Sequence, residues 1–221
     1  MKSVAMIPAR MGSQRLPKKN LADFHGSPLI VHAIRKCFAT GLFDEVWVNS
    51  EHPDFGPIAE AEGAHFHQRP EELGNNNATS EQFIAEFLEK QDCTFIYQVH
   101  SIAPLLSVSD LKKFVAEMQT DQYDALMSVV DENLECLYKD EPVNFTFAEK
   151  TNSQYLIPVR RIVWAVTAWR RETYLGAIKS GNCATYSGRI GYISVGRMAG
   201  HVIKTQEDLD VAAALYDILA D

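Results

Sequence analysis

Apolar positions recur along the chain in two rhythms. Short β-prone runs at residues 4–7, 45–49, 65–67, 94–99, 125–130, 162–169 and 191–195 alternate with stretches whose apolar residues fall three and four apart, at 28–40, 56–62, 80–90, 109–119, 172–179 and 207–219. The first rhythm predicts strands and the second amphipathic helices. Within 28–40, Leu29, Ile30, Ala33, Ile34, Cys37 and Phe38 stripe one helical face, and Gly41 follows as a stop. Alternation of this kind predicts an α/β fold in three layers, a mostly parallel sheet with helices on both faces. The rhythm fails at 131–160, where Glu, Asp, Asn and Pro separate short β-prone pieces. That segment is expected to leave the sheet as a flap or small β-rich dimerisation arm.

Composition narrows the class. With 221 residues, 46% of them hydrophobic, the chain can bury one substantial core, so a single domain over 1–221 is expected. A formal charge of −8 disfavours nucleic acid or an anionic membrane as partner, because either repels such a chain unless positive charge is concentrated locally. Cys37, Cys93, Cys136 and Cys183 lie far apart with no C-x-x-C spacing, which suits reduced thiols in a cytoplasm. The first apolar run stops at Pro8 and Arg10, too soon for a signal segment or membrane span.

Against that acidic background, residues 7–20 read IPARMGSQRLPKKN and place Arg10, Arg15, Lys18 and Lys19 in one loop. A loop after the first parallel strand lies where open α/β sheets bind ligands. Gly12 and Ser13 leave backbone N–H groups free to approach phosphate oxygens, and the Arg and Lys side chains add bidentate donors and point charges. The spacing matches neither G-x-x-x-x-G-K-[ST] nor G-x-G-x-x-G. The alternative is a solvated basic loop, the usual fate of a charge run; the interleaved Gly, Ser and Pro17 directly after a strand favour phosphate.

This segment closely resembles P-A-R-x-G-S-x-R-x-P-x-K-N, the signature of the acylneuraminate and 3-deoxy-manno-octulosonate cytidylyltransferases, and Gly26 to Ile30 resembles their G-x-P-L-I. Further similarity lies in residues 48–51 (V-N-S-E, against V-S-T-D), in 69–73 with 78–80, in 97–106 and in 151–168. The resemblance implies a nucleotide-diphospho-sugar transferase-like fold, a homodimer built through the arm, and transfer of CMP from CTP to an acidic sugar. It further implies phosphate contacts from Arg10, Ser13, Arg15 and Lys19, with Ala9, Met11, Gly12 and Asn20 completing the nucleotide loop. Arg69 and Ser80 are implied to contact CTP, and Gln98, His100, Ser101 and Arg161 to face the acceptor. Mg²⁺ is the implied cofactor.

Several positions depart from the family pattern. Where the relatives read I-D-I-D-T-x-E-D-L and use carboxylates for Mg²⁺, residues 201–209 read HVIKTQEDL, so Val202 and Lys204 replace both Asp. Val202 cannot ligate a hard cation, and the Lys204 ammonium repels one while remaining able to neutralise phosphate. Val163 and Trp164 replace an Asn-Gly pair, Leu106 replaces an Arg, and Gln14 stands where many members have Lys. Two outcomes follow. In one, Mg²⁺ is held mainly by triphosphate oxygens and water, Lys204 joins Arg10, Arg15 and Lys19 in catalysis, and the acceptor is altered. In the other, the chain binds a nucleotide or sugar nucleotide without efficient transfer.

Other motifs read as structural. His65 and His67 share a strand face without a third metal ligand and are expected to be a surface pair. Asp208-Leu209-Asp210 imitates a glycosyltransferase D-x-D but falls at a helix start, where carboxylates favour the dipole. Trp164 and Trp169 are expected in the core or an interface.

Overall fold

The computed structural model describes residues 1–219; the last two positions of the expected domain lie outside the described residues. The chain opens with β1 (Ser3–Pro8), passes through the cationic loop and a small hairpin, β2 (Asp23–Phe24) and β3 (Ser27–Pro28), and enters α1 (Leu29–Thr40). There follow β4 (Glu45–Ser50), α2 (Phe55–Ala61), β5 (His65–Gln68), α3 (Ser80–Lys90), β6 (Phe95–Val99), α4 (Val108–Met118) and β7 (Ala125–Glu132). A second hairpin, β8 (Leu137–Tyr138) and β9 (Glu141–Pro142), precedes β10 (Val159–Arg170), α5 (Arg171–Lys179), β11 (Ile190–Ser194) and α6 (Gln206–Leu219).

Seven strands form one sheet in the order β11-β7-β10-β6-β1-β4-β5. All pair in parallel except β10, which runs antiparallel to both β6 and β7. The mostly parallel α/β architecture is therefore as expected, with one reversed strand inserted beside its centre. Alternation along β1 sends Ala5 and Ile7 to one face, where they pack with Ile30, Ile34, Leu111 and Phe114 of α1 and α4. Val4 and Met6 go to the other face, with Ile84, Phe87 and Leu88 of α3. The same period on β6 puts Ile96 on the α3 face, so Gln98 and His100 continue that face at the strand's carboxyl end.

A third cluster ties the two ends of the chain together. Leu16 from the cationic loop, Phe24 and Leu29 pack on Ile203, Leu209 and Ala212. Residues 201–205 are thereby held against the loop that follows β1. The residue pair at His65 and His67 divides instead of lying on the surface: His65 stays exposed, stacked on Trp47, whereas His67 is buried beneath α3 with its Nε2 2.8 Å from Glu86 Oε2. Helix α3 covers that edge of the sheet, which the strand's own sequence does not encode.

Between β7 and β10 the chain leaves the sheet over residues 133–158, while 131–132 and 159–160 of the expected segment remain paired within it. Those strands pair from Val159↔Glu132 to Ile162↔Val129, and the register then shifts before Thr167↔Met127. Ser128 fills the irregularity: its Oγ lies 2.7 Å from the Val166 carbonyl and accepts the Val166 N–H at 3.3 Å. Beyond the ribbon, Asn144 braces the loop by donating to the carbonyls of Leu134 (2.8 Å) and Ile157 (2.9 Å) and accepting from Cys136 N–H (3.0 Å). The surface so presented carries exposed apolar side chains, Leu137, Tyr138, Phe147, Tyr155 and Ile157, among charged ones. Among the described residues, no helix is long and apolar enough to cross a membrane.

Candidate functional site

A cavity of about 270 Å³ opens at the carboxyl edge of β1 and β6, on the α3 face. Strand alternation supplies its floor as Pro8, Gln98 and His100, the loop after β1 supplies Ala9, Arg10, Ser13, Lys19 and Asn20, and α3 supplies Ser80 and Phe83. Ile102 and Arg69 complete it. At Arg69 the cavity meets an open groove of about 1180 Å³ whose wall includes Gly12, Glu51, Glu71 and Glu72. Glu51, Glu71 and Glu72 share that wall with Arg69 and Lys90, whereas Arg10, Lys19 and Arg69 line the smaller cavity.

Arg69 is the fixed point of the site. Only 4% exposed, it donates from Nη2 to the Ala9 carbonyl (3.0 Å) and Glu51 Oε2 (3.1 Å), and from Nη1 to Asn49 O and Oδ1 (both 3.3 Å). One side chain thus locks the ends of β1 and β4 together, with its guanidinium over the Phe83 ring at 4.7 Å. Glu51 answers it and spends its other oxygen on the Met11 N–H at 2.8 Å. Met11 packs against the core, so neither its side chain nor its amide is free for a ligand.

The cationic loop is shaped by its own contacts. Asn20 is buried, donates to the Arg10 carbonyl (3.0 Å) and accepts from Ser101 Oγ (2.8 Å), so Ser101 orients Asn20 from behind the cavity wall. Lys18 adopts a left-handed φ of 53°, which starts the turn Lys19–Leu21 and directs Lys19 Nζ to the Ile203 carbonyl at 3.1 Å. This contact brings the segment containing Lys204 beside the loop. Burial lowers the pKa of Lys19, and the charges of Arg15, Arg10 and Lys204 lower it further. Arg10 reaches across to Asn76 Oδ1 at 3.0 Å. Among the described residues, none of Arg10, Arg15, Lys18, Lys19 and Lys204 pairs with a carboxylate.

Helix α3 adds to the positive field. Thr79 caps it by accepting the Gln82 N–H, and Ser80 in the first turn lines the cavity, so the positive end of the helix dipole faces the same space. Burial, then the charge of Lys19, pushes the His100 pKa down to about 4, leaving a neutral imidazole. Its Nε2, Gln98 Nε2 and Arg69 Nε are buried without a hydrogen-bond partner among the described residues. Their grouping here leaves bonds for a polar ligand to complete.

The structure brings Ala9, Arg10, Ser13, Lys19, Asn20, Arg69, Ser80, Gln98 and His100 together. Gly12 lines the neighbouring groove. Arg15 is exposed on the loop, and Lys204 is exposed beside it; both act on Lys19 through charge and line neither space. Arg161 is not brought to the cavity: its guanidinium holds Glu132 at 2.9 Å and the Gly200 carbonyl at 3.4 Å. Phe83 and Ile102 were not anticipated. Phe83 lies one helical turn beyond Ser80, and that spacing was the available signal. Asp208 serves the helix start, accepting the N–H groups of Lys204 and Thr205 at 2.8 Å each.

The residues present do not fit a protein-held Mg²⁺. That ion demands an octahedron of oxygens, commonly including a carboxylate. Among the described residues no carboxylate lines the cavity, both Glu51 oxygens are engaged, and Asn20 Oδ1 is taken by Ser101. Among the described residues, no group of three or more His, Cys, Asp or Glu side chains is placed to hold a metal.

A mostly parallel α/β sheet with unpaired cations and a helix amino end converging on its carboxyl edge defines a protein of the nucleotide-handling class. The chain belongs to the cytidylyltransferase family, whose model, described as "Cytidylyltransferase", matches residues 4–162. Curated relatives include N-acylneuraminate cytidylyltransferase A of Danio rerio, 32% identical over 127 residues that cover 57% of this chain and 30% of that protein. Pseudaminic acid cytidylyltransferase of Campylobacter jejuni is 31% identical over 137 residues, 59% of either chain. The matches therefore span less than two thirds of these relatives. The 3-deoxy-manno-octulosonate cytidylyltransferase of Chlorobium limicola is 27% identical over 188 residues, 81% of this chain and 74% of that one. Among solved structures, a CMP:2-keto-3-deoxy-manno-octonic acid synthetase complexed with CTP shares the fold, with TM-score 0.75 at 19% identity over 99% of both chains.

Proposed function

We propose that the chain transfers CMP from CTP to the anomeric hydroxyl of a 2-keto-3-deoxy sugar acid, sialic-acid-like or octulosonate-like, and releases pyrophosphate. The supporting observation is the convergence of Arg10, Lys19 and the α3 amino end on one cavity, with no carboxylate paired to the loop cations among the described residues. The hydroxyl oxygen bonds to the α-phosphorus, the bond to the β-phosphate bridge breaks, and pyrophosphate departs with that electron pair. Arg10, Ser13 and Lys19 hold the phosphates and stabilise the departing charge, with Arg15 and Lys204 adding field from outside. Asn20, Arg69 and Ser80 orient the nucleoside, and Gln98 and His100 face the acceptor. Neutral His100 accepts a hydrogen bond from the hydroxyl but does not hold a second proton near neutrality, so the hydroxyl proton passes on to water.

Arm-mediated pairing of two copies is part of this proposal, supported by the exposed Phe147, Tyr155 and Ile157. A cytoplasmic setting is supported by four free cysteines. The second reading, a nucleotide-binding homologue without efficient transfer, is favoured by the missing carboxylates at the cavity. Pyrophosphate release from CTP across a panel of nonulosonic and octulosonic acids separates the two. Turnover with one acceptor supports transfer; tight CTP binding with no turnover on any acceptor supports the second reading.

A further inference from the structure

The cavity holds an excess of positive groups and a shortage of oxygen ligands. Arg10, Lys19 and Arg69 line it, and Arg15 and Lys204 press on Lys19 from outside. Among the described residues, Glu51 and Asp208 bring carboxylates near, and neither is part of the lining of the cavity. Glu51 is bound to Arg69 and the Met11 N–H; Asp208 accepts the N–H groups of Lys204 and Thr205 and the Thr205 hydroxyl through a single oxygen. What remains for a cation is the carboxamide oxygen of Gln98 and the hydroxyls of Ser13 and Ser80, neutral donors in a positive field. A divalent ion entering there loses water without gaining carboxylates and meets repulsion from several fixed charges.

The Lys19–Ile203 contact supplies the complement. It seats residues 203–204 against the loop, and the Lys204 backbone N–H is pinned by Asp208, so the Lys204 ammonium hangs from a fixed anchor beside Lys19. A metal-free triphosphate presents two more negative charges to this pair than its magnesium chelate does.

We propose that the site takes the nucleotide triphosphate in its metal-free form, with Lys19 and Lys204 covering the phosphate charge that a divalent ion would otherwise neutralise. Mg²⁺ then competes with the protein for the nucleotide. This inference rests on the nucleotide reading above, and the test separates the two. Calorimetric titration of the whole chain with CTP is carried out at matched ionic strength, once in EDTA and once with MgCl₂ in excess over CTP. Affinity in EDTA is expected to exceed that in Mg²⁺ by about tenfold, the scale of one charge-assisted contact. In Lys204→Gln that gap is expected to narrow, and in Lys204→Asp to reverse. Both variants alter an exposed side chain, so circular dichroism is expected to match the parent. Wild-type affinity that is equal in the two buffers, or weaker in EDTA, overturns the inference while leaving the nucleotide reading in place. No CTP binding in either buffer overturns the nucleotide reading itself.

Discussion

The cavity and the 131–160 excursion are incomplete in opposite senses. In the cavity, polar atoms lie buried with nothing to bond among the described residues: Gln98 Nε2, His100 Nε2 and Arg69 Nε. Along the excursion, apolar side chains lie uncovered, with Phe147 and Tyr155 each 72% exposed and Ile157 78%. Buried polar groups call for a polar ligand, and exposed apolar groups call for another apolar surface. Their supports differ as well. The cavity is cross-braced by side chains from strands far apart in sequence, such as Arg69 on Ala9 and Ser101 on Asn20. The excursion is braced within itself, by Asn144 bonded to Leu134 and Ile157, 10 and 13 residues away. A region that binds a small anion must be rigid before the ligand arrives; one that meets a second chain can complete its packing there.

The contrast is tested most severely at Arg69. Arg69→Ala leaves Glu51 buried and unpaired, and is expected to lower unfolding free energy by about 3–5 kcal/mol, read by urea denaturation. A loss under about 1 kcal/mol would mean that the cavity is not the rigid region described. On the other side, Tyr155→Ser with Ile157→Ser is expected to weaken self-association by about thirtyfold or more, an interfacial loss of at least about 2 kcal/mol. Sedimentation measures this, with CTP affinity unchanged. A wild-type chain that sediments as a monomer at high concentration would remove the excursion's proposed role.

His100 gives a pH-dependent version. The unfolded chain binds a proton at about pH 6.5, whereas the folded imidazole stays neutral down to about pH 4. Its contribution to stability is therefore complete above the higher value and is lost as pH falls through the window, on the order of 3 kcal/mol. His100→Asn is expected to flatten that part of the stability profile. An identical slope in the variant would place the titration elsewhere. The smallest effects belong to Arg161 and Arg15. Arg161→Ala, breaking a half-exposed pair with Glu132, is expected to change stability and CTP affinity by under about 1 kcal/mol. Arg15→Ala is expected to weaken CTP by about 1 kcal/mol or less, because it acts through charge and salt screens it.

Much of this was legible before any coordinates. Period-two and helical spacings located the seven sheet strands and six helices, because each element buries one face or stripe and its residues record that. The loop at 7–20 stands out in the sequence as a cationic segment in an acidic chain, and the structure places Arg10, Ser13, Lys19 and Asn20 of it around one cavity. Strand direction was not legible: 162–169 reads as a strand whichever way it runs, and only its pairing with β6 and β7 makes it antiparallel. Equally hidden were the capture of Arg161 by Glu132, the burial of His67 under α3, and the double duty of Glu51. Each depends on a partner about twenty or more residues away, which no local pattern records.

The central claim is that the cavity grips phosphate. A displacement titration of cytidine, CMP, CDP and CTP against the whole chain measures that grip directly, repeated with Lys19→Met. The account predicts affinity rising along the series, with CTP at least about tenfold tighter than CMP, and the rise largely lost in the variant. Equal affinity for cytidine and CTP, or an unchanged series in Lys19→Met, would contradict it.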